Sequence, residues 1–329
     1  MLIISREEVQ QILTMEAAIE TTAQAYIDIA QENVNVPQRH HIKVPSQDAD
    51  MLIMSGLVGV DELLSVKIVS LFPHNPSQGL PATVGSLMLI NNKNGLLEAV
   101  MDATYLTAVR TGAASAVATR SLARTDAAVL GLLGAGSMSF HQVEAVLAVR
   151  PINKILINSR TLSKVDSLIT ELRPLLNRLN RVITVEICPT AEEVCHRSDV
   201  ICACTTSVEP VVRGEWLRPG THVNATGAFS PNMQEIDEDF VRGCRLITVD
   251  IKPAALLPGD LARPISAGII QENEVWQLGD LLLNQNIRTR GDLPWTMFKS
   301  VGVAAQDVLC GWYVYSEARR RGLGKEVAL

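Results

Sequence analysis

The sequence predicts an α/β protein in two parts, an α+β domain followed by a parallel-sheet domain. Two observations carry this. From Ala127 onward, short apolar runs alternate with helical stretches, the pattern of βαβ units and so of a parallel sheet. Before Ala127, strand-like runs follow one another with only turns between them, which pairs neighbours antiparallel. At 329 residues the chain has room for both parts, since a single core stops growing near roughly 250–300 residues.

The elements follow in order. Leu2-Ile3-Ile4 reads as a short strand, and its lack of a basic segment and a long apolar run sets it apart from a signal peptide. Ser5-x-x-Glu8 is a capping box that opens a helix, and Thr14 is placed to cap a continuation of it. Along that continuation Met15, Ile19, Ala23, Tyr26 and Ala30 line one stripe, ending near Asn33. Val36–His41 and the apolar run Met51–Met54 come next. Leu63–Leu71 reads as a buried strand with Lys67 at its centre. Thr83–Ile90 and Leu96–Met101 are strands joined by Asn92-Lys93-Asn94-Gly95, a hairpin signal. Thr107–Ala123 is Ala-rich and helical. The alternating part then supplies strands at Ala128–Leu133, Ile155–Asn158, Val182–Ile187, Val200–Ala203, His222–Ala225 and Leu246–Val249. Phe298–Gly322 reads as a last helix with Val303, Asp307, Cys310 and Val314 on one side. The expected domains are 1–117, rejoined by the helix of 303–329, and 118–302.

Composition excludes several classes. Hydrophobic residues are 47%, charged 19% and aromatic 4%, so Leu, Ile, Val and Ala must fill the cores. The net charge of −6 argues against a nucleic-acid partner. The mean hydropathy is +0.18, yet no apolar stretch approaches the roughly 20 residues a membrane span needs. The six cysteines form no C-x-x-C pair, and Cys202 and Cys204 lie in an apolar strand. Buried reduced thiols are expected, with no zinc site or disulfide, which fits a cytoplasmic protein.

The most informative local stretch is Gly134-x-Gly136-x-x-Ser139, after an apolar strand and before the helical run Phe140–Val149. That order is what a Rossmann-type domain needs. The first glycine turns the chain, the second lets backbone approach a pyrophosphate, and a small third residue allows close packing. The helix N-terminus offers N–H groups to the phosphates. The plain alternative is a tight strand–helix turn with no ligand. After the second strand, where an acid would hold a ribose 2′-hydroxyl, the chain has Asn158-Ser159-Arg160-Thr161. Ser159 and Arg160 suit a 2′-phosphate, hence NADPH with NADH as the second choice; an ordinary exposed arginine is the alternative.

Lys67 inside an apolar strand is unusual, because buried lysines are rare unless paired. Its structural reading is a side chain snorkelling at a sheet edge. Arg110-Thr111 stands in a helix that carries no further charge before Arg120. Arg110 is placed to hold a carboxylate or phosphate, or else to pair with Asp102. Arg39 lies beside His40 and His41 in a segment that is either a surface loop or part of a site. Asp260 borders a site or caps a helix. No Ser/His/Asp set and no metal-ligand spacing is evident.

Taken in order, several stretches resemble the ornithine cyclodeaminase/mu-crystallin family over nearly the whole chain. They are Val66-Lys67-Ile68-Val69, Gly79-Leu80-Pro81, Ala99-Val100-Met101-Asp102 and Leu106–Thr111, then Gly134-Ala135-Gly136, Thr205-Thr206 with Pro210, Pro219–Ala225, Gly259-Asp260-Leu261 and Phe298–Gly302. The resemblance implies a homodimer whose first domain binds substrate and forms the dimer interface. It also implies that Lys67 and Arg110 bind a substrate carboxylate while Arg39 closes the pocket, with Lys67, Arg110 and Asp260 as the catalytic candidates. Gly134, Ala135, Gly136, Ser137 and Met138 would hold the pyrophosphate. Thr111, Thr205, Thr206 and, near the nicotinamide, Ser300 would complete the cofactor site with Ser159 and Arg160.

The chain departs from the cyclodeaminase pattern at one place. Those members carry approximately Gly-Gly-Asp-x-Pro-Gly-Lys after the Asn-Ala strand; here the loop is Gly227-Ala228-Phe229-Ser230-Pro231-Asn232-Met233. Phe229 replaces the aspartate and Met233 the lysine, a form resembling the ketimine reductases. The expected activity is therefore NAD(P)H-dependent reduction of a small, cyclic 2-imino acid such as Δ1-pyrroline-2-carboxylate or Δ1-piperideine-2-carboxylate. The alternatives are an alanine- or opine-type amino acid dehydrogenase, ornithine cyclodeaminase, and a non-catalytic binding protein like mu-crystallin.

Overall fold

The computed structural model describes residues 1–284 and 290–328, so Leu329, the last residue of the expected C-terminal segment, lies outside it. The chain divides into two compact units, Met1–Arg110 with Val303–Leu329, and Thr111–Gly302. The division falls earlier than the expected 117/118, and it falls inside a continuous helix. No change of composition marks it, because the same Ala-rich helix serves both units.

The first unit opens with β1 (Leu2–Ile4), α1 (Arg6–Ile12) and α2 (Met15–Ala30). The capping box of Ser5 and Glu8 is formed, and Thr14 accepts from the Ala17 N–H. Then come β2 (Val34–Asn35), β3 (His40–Val44), β4 (Ala49–Val58), β5 (Leu63–Leu71), β6 (Thr83–Ile90) and β7 (Leu97–Asp102). Strands β4 to β7 pair antiparallel in sequence order, with β1 parallel to β7. Gly95, at φ +74°, lies in the turn between β6 and β7, where the left-handed region favours glycine. Met54, Lys67, Leu87 and Met101 form one row across the sheet, all buried. Because side chains alternate along a strand, the alternate rows face the other side and carry Ile53, Val66, Ile68, Val84, Met88 and Val100. That side is apolar and partly exposed, Val84 reaching 44%.

Helix α3 (Thr104–Leu122) leads into the second unit. There follow β8 (Val129–Leu133), α4 (Ser139–Val149), β9 (Lys154–Asn158), α5 (Leu162–Arg178), β10 (Thr184–Ile187), α6 (Ala191–Arg197), β11 (Val200–Ala203) and β12 (His222–Ala225). They continue with α7 (Glu238–Arg242), β13 (Cys244–Val249), α8 (Lys252–Ala255), α9 (Gly259–Ser266), β14 (Val275–Gln277), α10 (Leu278–Leu283) and β15 (Trp295–Lys299). Among the described residues the strands lie in the order β10-β9-β8-β11-β12-β15-β13-β14, every pair parallel. The order reverses between β8 and β11, which in such sheets opens a crevice at the carboxyl ends of the strands. The α/β class with a Rossmann-type sheet is thus observed.

One expected element is wrong at its start. Phe298 does not begin a helix but lies in β15, buried between β12 and β13. The segment Trp295-Thr296-Met297-Phe298-Lys299 is a strand buried at four of its five residues, and Gly302, at φ +76°, ends the extended segment. Helix α11 (Ala304–Arg321) and β16 (Lys325–Glu326) then rejoin the first unit, where α11 packs on α2, β4 and β5 and β16 pairs with β1. At Gly311 a Cβ would run into Leu87 Cδ2, so any larger residue there requires the Leu87 side chain to shift. All six cysteines are free thiols; five are buried and Cys204 is half-buried. Among the described residues no helix is long and apolar enough to cross a membrane.

Candidate active site

In the first unit, β5 carries Lys67 into the core at 1% exposure. Its Nζ lies 2.6 Å from Asp307 Oδ2 and donates to Thr107 Oγ1 at 3.4 Å. Arg110, one turn along α3 from Thr107, donates through Nε to Asp307 Oδ1 at 3.1 Å and through Nη1 to Gln306 Oε1 at 3.2 Å. Lys67 is therefore not snorkelling at an edge, and Arg110 does not pair with Asp102, whose Oδ1 accepts from the Tyr105 N–H instead. Among the described residues, these two buried cations share one buried carboxylate, so the cluster carries a net charge of +1. Burial pulls the Lys67 ammonium down to a pKa of about 8; Asp307 resists this while Arg110 and Arg39 add to it. Arg39, half-exposed between β2 and β3, is thus close enough for its charge to act on Lys67.

In the second unit, a cleft of about 230 Å³ opens at the reversal of strand order. Its lining includes Gly134, Ala135 and Gly136 after β8, Ser159, Arg160 and Lys164 after β9, and Thr205 and Thr206 after β11. Gly134 has φ +102°, and a Cβ there would lie 2.9 Å from the Cys204 carbonyl oxygen, so only glycine makes this turn. Gly136 faces open space, with nothing within 4 Å of a Cβ position. Ser139 Oγ donates to the Gly134 carbonyl at 3.1 Å, tying the turn to the helix. Helix α4 begins without a side-chain cap, so its first N–H groups suit an anion. These features fit a dinucleotide: a close glycine turn, room for phosphate, an uncapped helix start, and lining cations Arg160 and Lys164 with no lining carboxylate among the described residues. Ser137 and Met138 fall at the start of α4, outside the cleft lining. The carbonyl of Thr111 accepts from Gln142 Nε2 at 3.4 Å.

Three carboxylates organise the loops around this sheet. Glu235, fully buried, accepts from the Thr205 N–H (2.7 Å) and Oγ1 (2.9 Å) on one oxygen. Its other oxygen accepts from the Gly227 (2.7 Å) and Ala228 (3.0 Å) N–H groups. Asp260 Oδ1 accepts from the Glu235 and Ile236 N–H groups, and Oδ2 lies 2.7 Å from Lys299 Nζ, which donates to the Ala228 carbonyl at 2.5 Å. With both oxygens engaged at 0% exposure, Asp260 ties the Glu235–Ile236 backbone to Lys299. Ser300 Oγ donates to Asp250 Oδ2 at 2.9 Å, and the Val301 and Gly302 N–H groups share that oxygen. The Glu186, Cys188 and Glu193 cluster is no open ligand set, because Arg197 binds both glutamates.

The structure gathers Lys67 and Arg110 with Arg39 nearby, and separately the glycine turn with Ser159, Arg160, Thr205 and Thr206. Sequence reasoning missed Asp307, Glu235 and Lys299 as organising groups. A signal existed for Asp307, a charge on the buried stripe of its helix beside Val303, Cys310 and Val314.

A nucleotide-type crevice and a buried cation pair on this architecture define a dinucleotide-dependent class of α/β protein. The chain belongs to the ornithine cyclodeaminase/mu-crystallin family, whose model matches residues 1–322. It is 33% identical to a Δ1-pyrroline-2-carboxylate reductase of Bacillus cereus over 99% of both chains. The structure of the Thermococcus litoralis Δ1-pyrroline-2-carboxylate reductase in complex with NADH and L-proline is similar, with a TM-score of 0.92 and 34% identity over 99% of this chain and 100% of that one. An archaeal alanine dehydrogenase dimer with bound NAD has a TM-score of 0.89 and 29% identity over 100% of this chain and 99% of that one.

Proposed function

We propose that this chain reduces the C=N bond of a small cyclic 2-imino acid, Δ1-pyrroline-2-carboxylate or Δ1-piperideine-2-carboxylate, to the L-amino acid. The observation that carries this reading is the Lys67–Asp307–Arg110 cluster. One uncompensated positive charge in a buried setting calls for one anion, and a substrate carboxylate supplies it. Arg110 receives that carboxylate through N–H donors beyond those spent on Asp307 and Gln306. Lys67, with a pKa of about 8, is charged at neutral pH yet close enough to that pH to release a proton to the imine nitrogen. A bound reduced nicotinamide dinucleotide supplies the hydride for the imine carbon. Lys67 then regains its proton from water, so that C=N becomes CH–NH with one hydride and one proton added.

The dinucleotide rests on the turn Gly134–Gly136 and the start of α4, with Ser137 and Met138 following, Thr205 and Thr206 along it, and Thr111 and Ser300 toward the nicotinamide end. NADPH is preferred to NADH, because Ser159, Arg160 and Lys164 offer donors and charge to a 2′-phosphate where no acid repels it. Phe229 in place of the cyclodeaminase aspartate supports reduction over cyclodeamination, and the likeness to the two pyrroline-carboxylate reductases supports the same class. The protein works as a homodimer joined through the open face of the first unit's sheet, which presents Ile53, Val66, Ile68, Met88 and Val100 and which monomers seldom leave uncovered.

The test is a panel of both cyclic imines, and of pyruvate with ammonia, run with NADPH and with NADH in wild type and Arg160→Ala, alongside the mass in solution. Oxidation of either cofactor by a cyclic imine is expected. Its absence, with ammonia-dependent turnover of pyruvate instead, overturns the reading. Better use of NADH than NADPH by the wild type removes the cofactor preference alone.

A further inference from the structure

We propose that Asp307 is a positioning residue for the reaction: its one carboxylate holds Lys67 as the charged proton donor and Arg110 as the receptor for the substrate carboxylate. The inference rests on the function proposed above and adds a group that touches neither substrate nor cofactor.

The geometry is specific. Each oxygen serves one cation, Oδ2 at 2.6 Å from Lys67 Nζ and Oδ1 at 3.1 Å from Arg110 Nε. The side chain is 1% exposed, so it is spent on these partners and not on solvent. Its neighbour Gln306 fixes the other side of Arg110, accepting from Nη1 and from the Val303 N–H while donating to the Tyr26 hydroxyl at 3.0 Å. Thus α11 presents two consecutive residues that set the separation and orientation of both cations.

The charges give Asp307 its chemical effect. Facing Lys67 are Thr107 and Arg110 from α3, Arg39 from the segment before β3, and Asp307 from α11. Cys310, one turn further on α11, faces the same ion pair, and burial keeps its thiol neutral with a pKa of about 11. Of the largest influences on Lys67 among the described residues, burial, Arg110 and Arg39 disfavour its ammonium, and Asp307 favours the charged form through both its charge and its hydrogen bond. A proton donor must carry its proton. Activity is therefore high below the Lys67 pKa of about 8 and falls as pH rises through it. Without the carboxylate that value drops, and the alkaline limb moves to lower pH.

The experiment is the pH profile of kcat/KM for Δ1-pyrroline-2-carboxylate in wild type, Asp307→Asn and Asp307→Glu. Substrate ionisation is common to all three, so any difference belongs to the protein. In Asp307→Asn the alkaline limb should shift acidward by about one pH unit or more, a loss of about fivefold or more at the wild-type midpoint that approaches about tenfold at higher pH. Asp307→Glu should return the limb toward the wild-type position, which a merely structural role would not do. If asparagine does not fold there, Asp307→Ser, with room for a water beside Nζ, gives the same reading. A uniform loss at every pH with the limb unmoved overturns the proposal. Failure of the wild type to reduce the imine counts against the proposed function instead, so the two failures are distinct.

Discussion

Replacing Lys67 with methionine removes a charge and a proton while keeping most of the side-chain volume. Arg110 stays paired with Asp307 at 3.1 Å, so no buried charge is orphaned and the fold should survive with a cost of roughly 1–2 kcal/mol. Activity should fall through two separate losses. Lys67 supplies the surplus positive charge that draws the substrate carboxylate to Arg110, and losing a charge-assisted interaction of this kind costs about 1.5–3 kcal/mol, or roughly 10- to 150-fold. Proton transfer by a positioned side chain contributes about 10²- to 10⁴-fold. Together they predict a fall in kcat/KM of at least about 10³-fold. Lys67→Arg separates the two. Arginine keeps the charge and recovers part of the substrate affinity, but it does not deprotonate, so kcat stays low and the alkaline limb disappears. Steady-state kinetics across pH, cofactor titration by fluorescence and circular dichroism measure all three. Turnover of Lys67→Met within tenfold of wild type, with native dichroism and normal cofactor binding, refutes the placement of the chemistry at this lysine.

Other consequences follow from particular contacts. Incubation with L-ornithine and oxidised cofactor should release no proline and ammonia, because Phe229 stands where a base is required and both oxygens of Asp260 are engaged; steady proline production detected by mass spectrometry contradicts this. Glu235→Gln should destabilise by about 2–4 kcal/mol, since an amide leaves two of the four buried donors facing an NH₂ group, partly offset by the easier burial of a neutral side chain. The same variant should weaken dinucleotide binding by loosening Thr205; a change of midpoint in urea equivalent to under 1 kcal/mol would count against the clamp. Arg150→Met should cost about 2 kcal/mol, because Arg150 Nη2 donates to the Thr119, Arg120 and Ala123 carbonyls at the end of α3 (2.6, 3.0 and 2.8 Å). Unchanged thermal unfolding removes that capping role.

Local chemistry made much of the molecule legible. The capping box at Ser5, the strand centred on Lys67, the hairpin turn ending at Gly95 and the glycine turn at Gly134 are properties of a few adjacent residues, and each formed where its sequence placed it. The alternation after Ala127 likewise foretold a parallel sheet, because the requirement to bury both faces of such strands is written into their composition. Lys67 and Arg110 stood out for the same reason: a charge in an apolar run is conspicuous without any partner in view.

What only the tertiary structure decided is who meets whom. Lys67 and Asp307 are 240 positions apart, and nothing local to either selects the other; the return of α11 onto β4 and β5 brings them to 2.6 Å. The same holds for Glu235, which joins Thr205 to Ala228, and for Asp260, whose acid was legible but whose enclosure by Lys299 was not. The strand Trp295–Lys299 escaped notice because Trp-Thr-Met-Phe-Lys shows too short a pattern for periodicity to separate strand from helix, and the slot between β12 and β13 chose the strand. The sequence determined which segments must be buried and which residues were chemically out of place, since those depend on solvent and neighbours along the chain. Pairing of charges across the fold depends on distance in space, and so it belonged to the tertiary structure alone.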